Sequence, residues 1–204
     1  MIVTISASYG AGGSAVGPRV AKQLGLEFID RAVPVAVANE LGISVQDAEA
    51  IEHDAPSGLW GFLAHMSSLS PGMAVPAPVD QGVTDRDVMR GTEAEIRKVA
   101  DGKNAVILGH AAAMVLADHA DVLHVRLDGR PEGRIKSAMQ QHGIDEKSAT
   151  AAQRENDRIR SVYAKHFYGV NSSDARHYDL VLDTVRIGWD LAEELIVYAA
   201  RSGH

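Results

Sequence analysis

Residues 6–15 read SASYGAGGSA, with Gly10, Gly12 and Gly13 inside four positions. The stretch lies between an apolar run, Ile2-Val3-Thr4-Ile5, and a helix-like segment that opens near Ser14. Strand, glycine loop, helix is the order that gathers backbone N–H groups and a helix N-terminus around an anion. It also commits the chain early. A buried-type strand running into a helix is the first half of a βαβ unit, so a parallel sheet is expected behind it.

Three readings of the loop compete. The phosphate-loop pattern G-x-x-x-x-G-K-[ST] lies on Ala7, Gly12, Gly13 and Ser14, with Ala for its first Gly and Gly for its Lys. In that reading Tyr9, Gly10, Ala11, Gly12, Gly13, Ser14 and Ala15 form the nucleotide-binding segment. Backbone N–H groups hold the phosphates, and Ser14 takes the magnesium-binding hydroxyl position. The dinucleotide pattern G-x-G-x-x-[GA] is met by Gly10, Gly12 and Ala15, with Asp30 near the ribose-binding distance, and it implies NAD(P) and an oxidoreductase. Ala7, Ser8 and Tyr9 separate the strand from Gly10, and about 75 residues separate the second and third strands, so this reading ranks second. The third is a tight turn with no ligand, for which one glycine would suffice.

Along the chain, apolar runs at 2–6, 27–30, 105–108, 122–127 and 180–182 read as five strands. Helical patterns cover 14–24, 33–41, 44–53, 84–101, 111–116, 131–142, 145–167 and 189–200, with Gly17-Pro18 weakening the first. Residues 55–83 hold four of the seven prolines and are the least regular part, as expected of a functional loop or lobe. The expected architecture is a single three-layer α/β/α domain on a five-stranded, mainly parallel sheet. Its core is residues 1–30 and 101–204, its inserted lobe 31–100, and its helical lid about 130–168.

Composition limits the partners. A net charge of −7 argues against coating a nucleic acid polymer or an anionic membrane, and no apolar run approaches the ~20 residues of a spanning helix. No basic stretch precedes Ile2 and cysteine is absent, so a cytoplasmic protein without signal peptide, disulfide or thiolate metal site is expected. The chain does not indicate its oligomeric state, and a homo-oligomer stays open. Residues 121–170 nevertheless carry nine of the twenty Lys and Arg, whereas residues 26–100 carry five against twelve acids. Such a local basic cluster suits a small anionic ligand. Within it Arg154 and Arg158 are i,i+4, and Asp157 and Arg160 are i,i+3. Guanidinium forks match phosphate oxygens, so Arg154, Arg158 and Arg160, oriented by Asp157, are the candidate catalytic lid residues; a solvated helix face with internal ion pairs is the plainer reading. The scattered histidines show no zinc spacing, and Asp183 is either an adenine-side residue or a helix cap.

The chain resembles the bacterial cytidylate kinase-like family of P-loop nucleoside monophosphate kinases. The likeness rests on Val3-Thr4-Ile5-Ser6 with Tyr9-Gly10-Ala11-Gly12-Gly13, on Leu24-Gly25-Leu26-Glu27-Phe28-Ile29-Asp30, and on Ala105-Val106-Ile107-Leu108-Gly109. It continues at Asn156-Asp157-Arg158 and at residues 178–184. The loop without its lysine looks like that subfamily's own form. The resemblance implies transfer of the γ-phosphoryl of ATP to a pyrimidine monophosphate (CMP or dCMP), with Mg²⁺ bridging the phosphates and a lobe that binds the acceptor. Asp30, Arg31 and His110 are then the candidate acceptor contacts. The family's G-G-R-E is here Gly12-Gly13-Ser14-Ala15, and its G-R-C-A-D is Gly109-His110-Ala111-Ala112-Ala113. Those departures keep open a nucleotide-binding protein or sensor with weakened catalysis.

Overall fold

The computed structural model describes residues 1–30, 85–102, 104–109 and 111–203. Arg31, His110, the helices expected at 33–41 and 44–53 and the irregular stretch 55–83 lie outside the described residues. By its internal contacts the chain divides into one unit of residues 1–32 and 93–204 and another of residues 33–92.

Numbering only the described elements, the first unit is built on β1 (Ile2–Ala7), β2 (Glu27–Asp30), β3 (Ala105–Leu108), β4 (Val122–Asp128) and β5 (Leu180–Asp183). All five strands are parallel, in the order β2-β3-β1-β4-β5. β1 is central and pairs with β4 from Ile2↔Val122 to Ala7↔Leu127. A strand buried on both faces needs an unbroken apolar run, which is why Ile2-Val3-Thr4-Ile5 shows no alternation. Its successive side chains still go to opposite faces. Val3 and Ile5 join Val16, Val20, Leu123, Val125 and Ile196 on one side. Ile2 joins Ile96, Ile107, Leu116 and Val122 on the other. Helices on both faces make three layers, as expected.

α1 (Gly13–Leu24) runs unbroken through Gly17-Pro18. Gly17 is there for contact: a Cβ on it would lie 2.7 Å from Cε2 of Phe28. α2 (Asp85–Gly102) leads into β3, and α3 is the short Ala112–Val115. α4 (Pro131–His142) starts with Pro at its first position and stops at Gly143, φ 64°. α5 (Glu146–Tyr168) is capped by Asp145, whose side chain accepts from Ser148 N at 2.7 Å. Together α4 and α5, the two helices expected at 131–142 and 145–167, pack against each other as a hairpin. Past β5, Asp183 accepts from Arg186 N at 3.1 Å and caps α6 (Thr184–Ile187), a four-residue helix too short to show periodicity. α7 (Trp189–Arg201) closes the fold against α1, where Arg19 pairs with Asp190 at 2.6 Å.

Candidate functional site

The site forms where β1 ends. Ser8 N donates to Leu127 O at 3.0 Å, carrying the β1–β4 ladder one residue beyond the strand. The chain then turns, Ala11 N donating to Ser8 O at 3.0 Å, and enters α1 through Gly12, whose carbonyl accepts from Ala15 and Val16. Gly10 and Gly12 take left-handed φ of 78° and 82°. Both also have no room for a side chain: a Cβ on Gly10 would overlap the Arg134 carbonyl, and one on Gly12 the Trp189 indole. Among the described residues, the N–H groups of Gly10, Gly12, Gly13 and Ser14 have no acceptor. Four unsatisfied donors at the start of a 12-residue helix make an anion nest.

Side chains from four other elements hold this loop. The Arg126 guanidinium donates to Ser8 Oγ (3.0 Å), Asp128 Oδ2 (2.9 Å) and Ser172 O (2.9 Å), and lies 5.7 Å from the Tyr178 ring centroid. Arg134 donates to Tyr9 O (2.8 Å), Gly129 O (2.9 Å) and Asp157 Oδ2 (2.7 Å). Asp157 also accepts from Tyr9 N at 3.2 Å and from Gln153 at 2.7 Å. From beneath, Thr184 Oγ1 donates to Ala11 O at 2.8 Å. The Tyr9 ring, 9% exposed, packs against Ala138, Ala149 and Ile135 of the helical hairpin. Burial raises its phenol pKa, and Arg160 opposes that.

Beside Ala7 and Ser8 opens a cleft of about 120 Å³ whose walls carry Arg126, Arg134, Arg160, Asp128 and Asp157. Burial acts to raise the Asp128 pKa. Arg126, the Gly129 N–H and the Ser8 hydroxyl outweigh it, so the carboxyl is held below the ordinary value. Arg160 is exposed as a residue, yet the protein around its guanidinium lowers its proton affinity by desolvation. Asp157 pulls the other way, and Arg126 and Arg134 add to the lowering.

Of the four lid residues read from sequence, Asp157 and Arg160 reach this cleft; the helix repeat places Gln153, Asp157 and Arg160 on one face. Arg154 is exposed on another face, and Arg158 bonds Glu155 through two contacts of 2.9 and 3.0 Å. Ser14 is exposed, and its hydroxyl accepts from Gln141 Nε2 at 3.2 Å. Asp30 ends β2, opposite Leu108. Because β3 lies between β2 and β1, Asp30 is two strands from the glycine loop, unlike the acid of a dinucleotide site, where the second strand adjoins the first. Arg126, Asp128, Arg134 and Thr184 were absent from the sequence-based site. Arg126 and Arg134 both belong to the basic stretch 121–170, and Arg126 also stands out as a charge inside the largely apolar β4.

The model of the cytidylate kinase-like family matches residues 2–186. A cytidylate kinase from Ignicoccus hospitalis is 26% identical over 196 residues, 96% of each chain. One from Methanopyrus kandleri is 23% identical over 195 residues, 91% of this chain and 86% of that one. An uncharacterized protein from Eubacterium ventriosum superposes with a TM-score of 0.68 at 20% identity, over 99% of each chain, a likeness of fold alone.

Proposed function

The chain belongs to the cytidylate kinase-like family, and from that premise we propose that it transfers the γ-phosphoryl of ATP to a nucleoside monophosphate of the CMP or dCMP type. The observation that carries the reading is the pairing of two features: a nest of unsatisfied N–H groups at Gly10–Ser14, and a cleft beside it that carries three guanidinium groups. The nest suits the β-phosphate of a triphosphate, and the guanidiniums suit the negative charge that spreads over the phosphoryl group in transfer. Residues 31–100 would form the acceptor lobe, and Asp30, Arg31 and His110 would contact the acceptor.

Mg²⁺ fits the residues present. Among the described residues no three His, Asp or Glu side chains cluster to hold a metal, whereas the Ser14 hydroxyl stands exposed at the start of α1. A metal held by one hydroxyl, water and phosphate oxygens is the usual situation of nucleotide-bound Mg²⁺, and it would neutralise charge between the β- and γ-phosphates. Asp157, bound to Tyr9 N and Arg134, orients the loop and the hairpin relative to each other.

A coupled assay of ADP production with CMP, dCMP, UMP and AMP tests the proposal. Turnover greatest with CMP or dCMP is expected, and no turnover with any of the four at high enzyme concentration refutes it. Nucleotide binding without transfer is the second reading. It is favoured by Ala113, which stands where the family's G-R-C-A-D segment has its Asp and which, 2% exposed, brings no polar group to an acceptor. Saturable ATP binding with no ADP released to any acceptor would select it.

A further inference from the structure

Two departures from the phosphate-loop pattern, Ala7 for its first glycine and Gly13 for its lysine, prove to be one departure in space. A Cβ on Gly13 would sit 2.6 Å from the Ala7 Cβ and 3.1 Å from Leu108 Cδ1. Carbon atoms in contact prefer about 3.5–4.0 Å. The Ala7 methyl is fixed to the last residue of β1, and it cannot swing aside as a long side chain would. No lysine stem can therefore leave position 13 while residue 7 is alanine. Glycine at position 7 would remove the contact with the methyl group and leave only that with the end of the Leu108 side chain.

The charge that such a lysine would bring is present across the cleft. Arg126 is paired with Asp128, and Arg134 with Asp157, each at less than 3 Å. The third guanidinium, Arg160, has no hydrogen bond or ion pair among the described residues, so the cleft carries one unbalanced positive charge. Its neighbour on the same helix face, Asp157, binds the loop directly at Tyr9 N, which ties the helix that presents Arg160 to the loop. Arg160 is also exposed, so it can reach a ligand without first leaving a partner.

We propose that Arg160 supplies, from α5, the positive charge that a loop lysine would otherwise bring to the terminal phosphates of a bound nucleoside triphosphate. The proposal rests on the phosphotransferase reading above. It assigns Ala7 and Gly13 as a coupled pair and Arg160 as their functional complement. The charge then arrives with the helical hairpin instead of being built into the loop.

The test is equilibrium binding of Mg-ATP, with AMP as the control, by calorimetry on the full chain. R160M should weaken Mg-ATP at least about tenfold and AMP much less, and R160K should recover part of the loss. G13K alone should lower the melting temperature more than A7G/G13K does. Added to R160M, the A7G/G13K pair should restore most of the Mg-ATP affinity. Mg-ATP binding to R160M equal to wild type overturns the proposal and leaves the phosphotransferase reading standing. The same holds if R160K is no better than R160M, or if a folded A7G/G13K/R160M variant binds no better than R160M. Wild-type protein that binds no ATP removes the phosphotransferase reading and this proposal with it.

Discussion

Replacing Arg134 by Met separates structural from superficial arginines. Arg134 is 4% exposed and donates to two backbone carbonyls, Tyr9 O and Gly129 O, and to the Asp157 carboxylate. Methionine keeps the stem's packing and removes all three bonds. A hydrogen bond from a charged donor contributes about 1.5–3 kcal/mol, and breaking a buried pair costs about 3–5 kcal/mol because the partner stays behind unpaired. Here Asp157 keeps Tyr9 N and Gln153, and its side chain is 28% exposed, so part of that penalty is relieved by solvent. A net loss of about 3 kcal/mol is expected, which for a chain of this size lowers the melting temperature by roughly 6–12 °C. Arg158→Met is the control: its pair with Glu155 is one helical turn long and about one-third exposed, and its loss should cost about 0.5 kcal/mol or less. Thermal and urea unfolding of the two variants at neutral pH provide the comparison. If Arg134→Met falls within about 1 kcal/mol of wild type, or if the two variants are equally destabilised, the loop is not held as described.

Thr184→Val removes the hydroxyl bound to Ala11 O and keeps the shape, and it should cost about 1–3 kcal/mol by leaving a buried carbonyl unpaired, read by urea unfolding. The Asp128 carboxyl is held below its ordinary pKa, so its contribution to stability is complete above the unfolded value of about 3.9 and is lost as pH falls through the lower folded value. Melting temperatures between pH 3 and 6 should accordingly be less steep for Asp128→Asn than for wild type, and equal slopes would contradict the assignment. Ile5→Ala opens a cavity at a 1% exposed position of the central strand and should cost about 3–4 kcal/mol, measured by the shift of the urea midpoint at unchanged slope.

The strands were legible because a sheet covered on both faces demands mostly apolar segments, unbroken at 105–108 and interrupted only by Thr4 and Ser6 in 2–6 and by His124 and Arg126 in 122–127. The ends of α1, α4 and α5 were legible because Gly25, Gly143 and Gly169 take left-handed conformations that other residues avoid. α6 was missed, since four residues held by a cap show no period. The choice between a phosphate loop and a dinucleotide turn was open in the sequence, where both patterns fit the same glycines. Strand order decided it, because β3 inserted beside β1 moves Asp30 away from the loop.

The site divides in the same way. Local sequence determined that Gly10–Ser14 would turn and present N–H groups, since backbone conformation depends on residues close in the chain. It also determined that 153, 157 and 160 share a helix face. Which arginine is paired, and which is free, was settled by contacts such as Arg126 to Ser8 and Arg134 to Tyr9, which span 118 and 125 residues. Arg154 and Arg160 look alike in sequence, because a guanidinium carries the same charge in any position. What distinguishes them is the direction in which α5 presents each one: Arg160 lines the cleft and Arg154 does not. Only the tertiary structure decides that, since it alone brings β4, the hairpin and the glycine loop to one cleft. The missing lysine follows the same logic: as a string of letters it is a loss, and in space the Cβ that a lysine needs would meet the methyl group of Ala7.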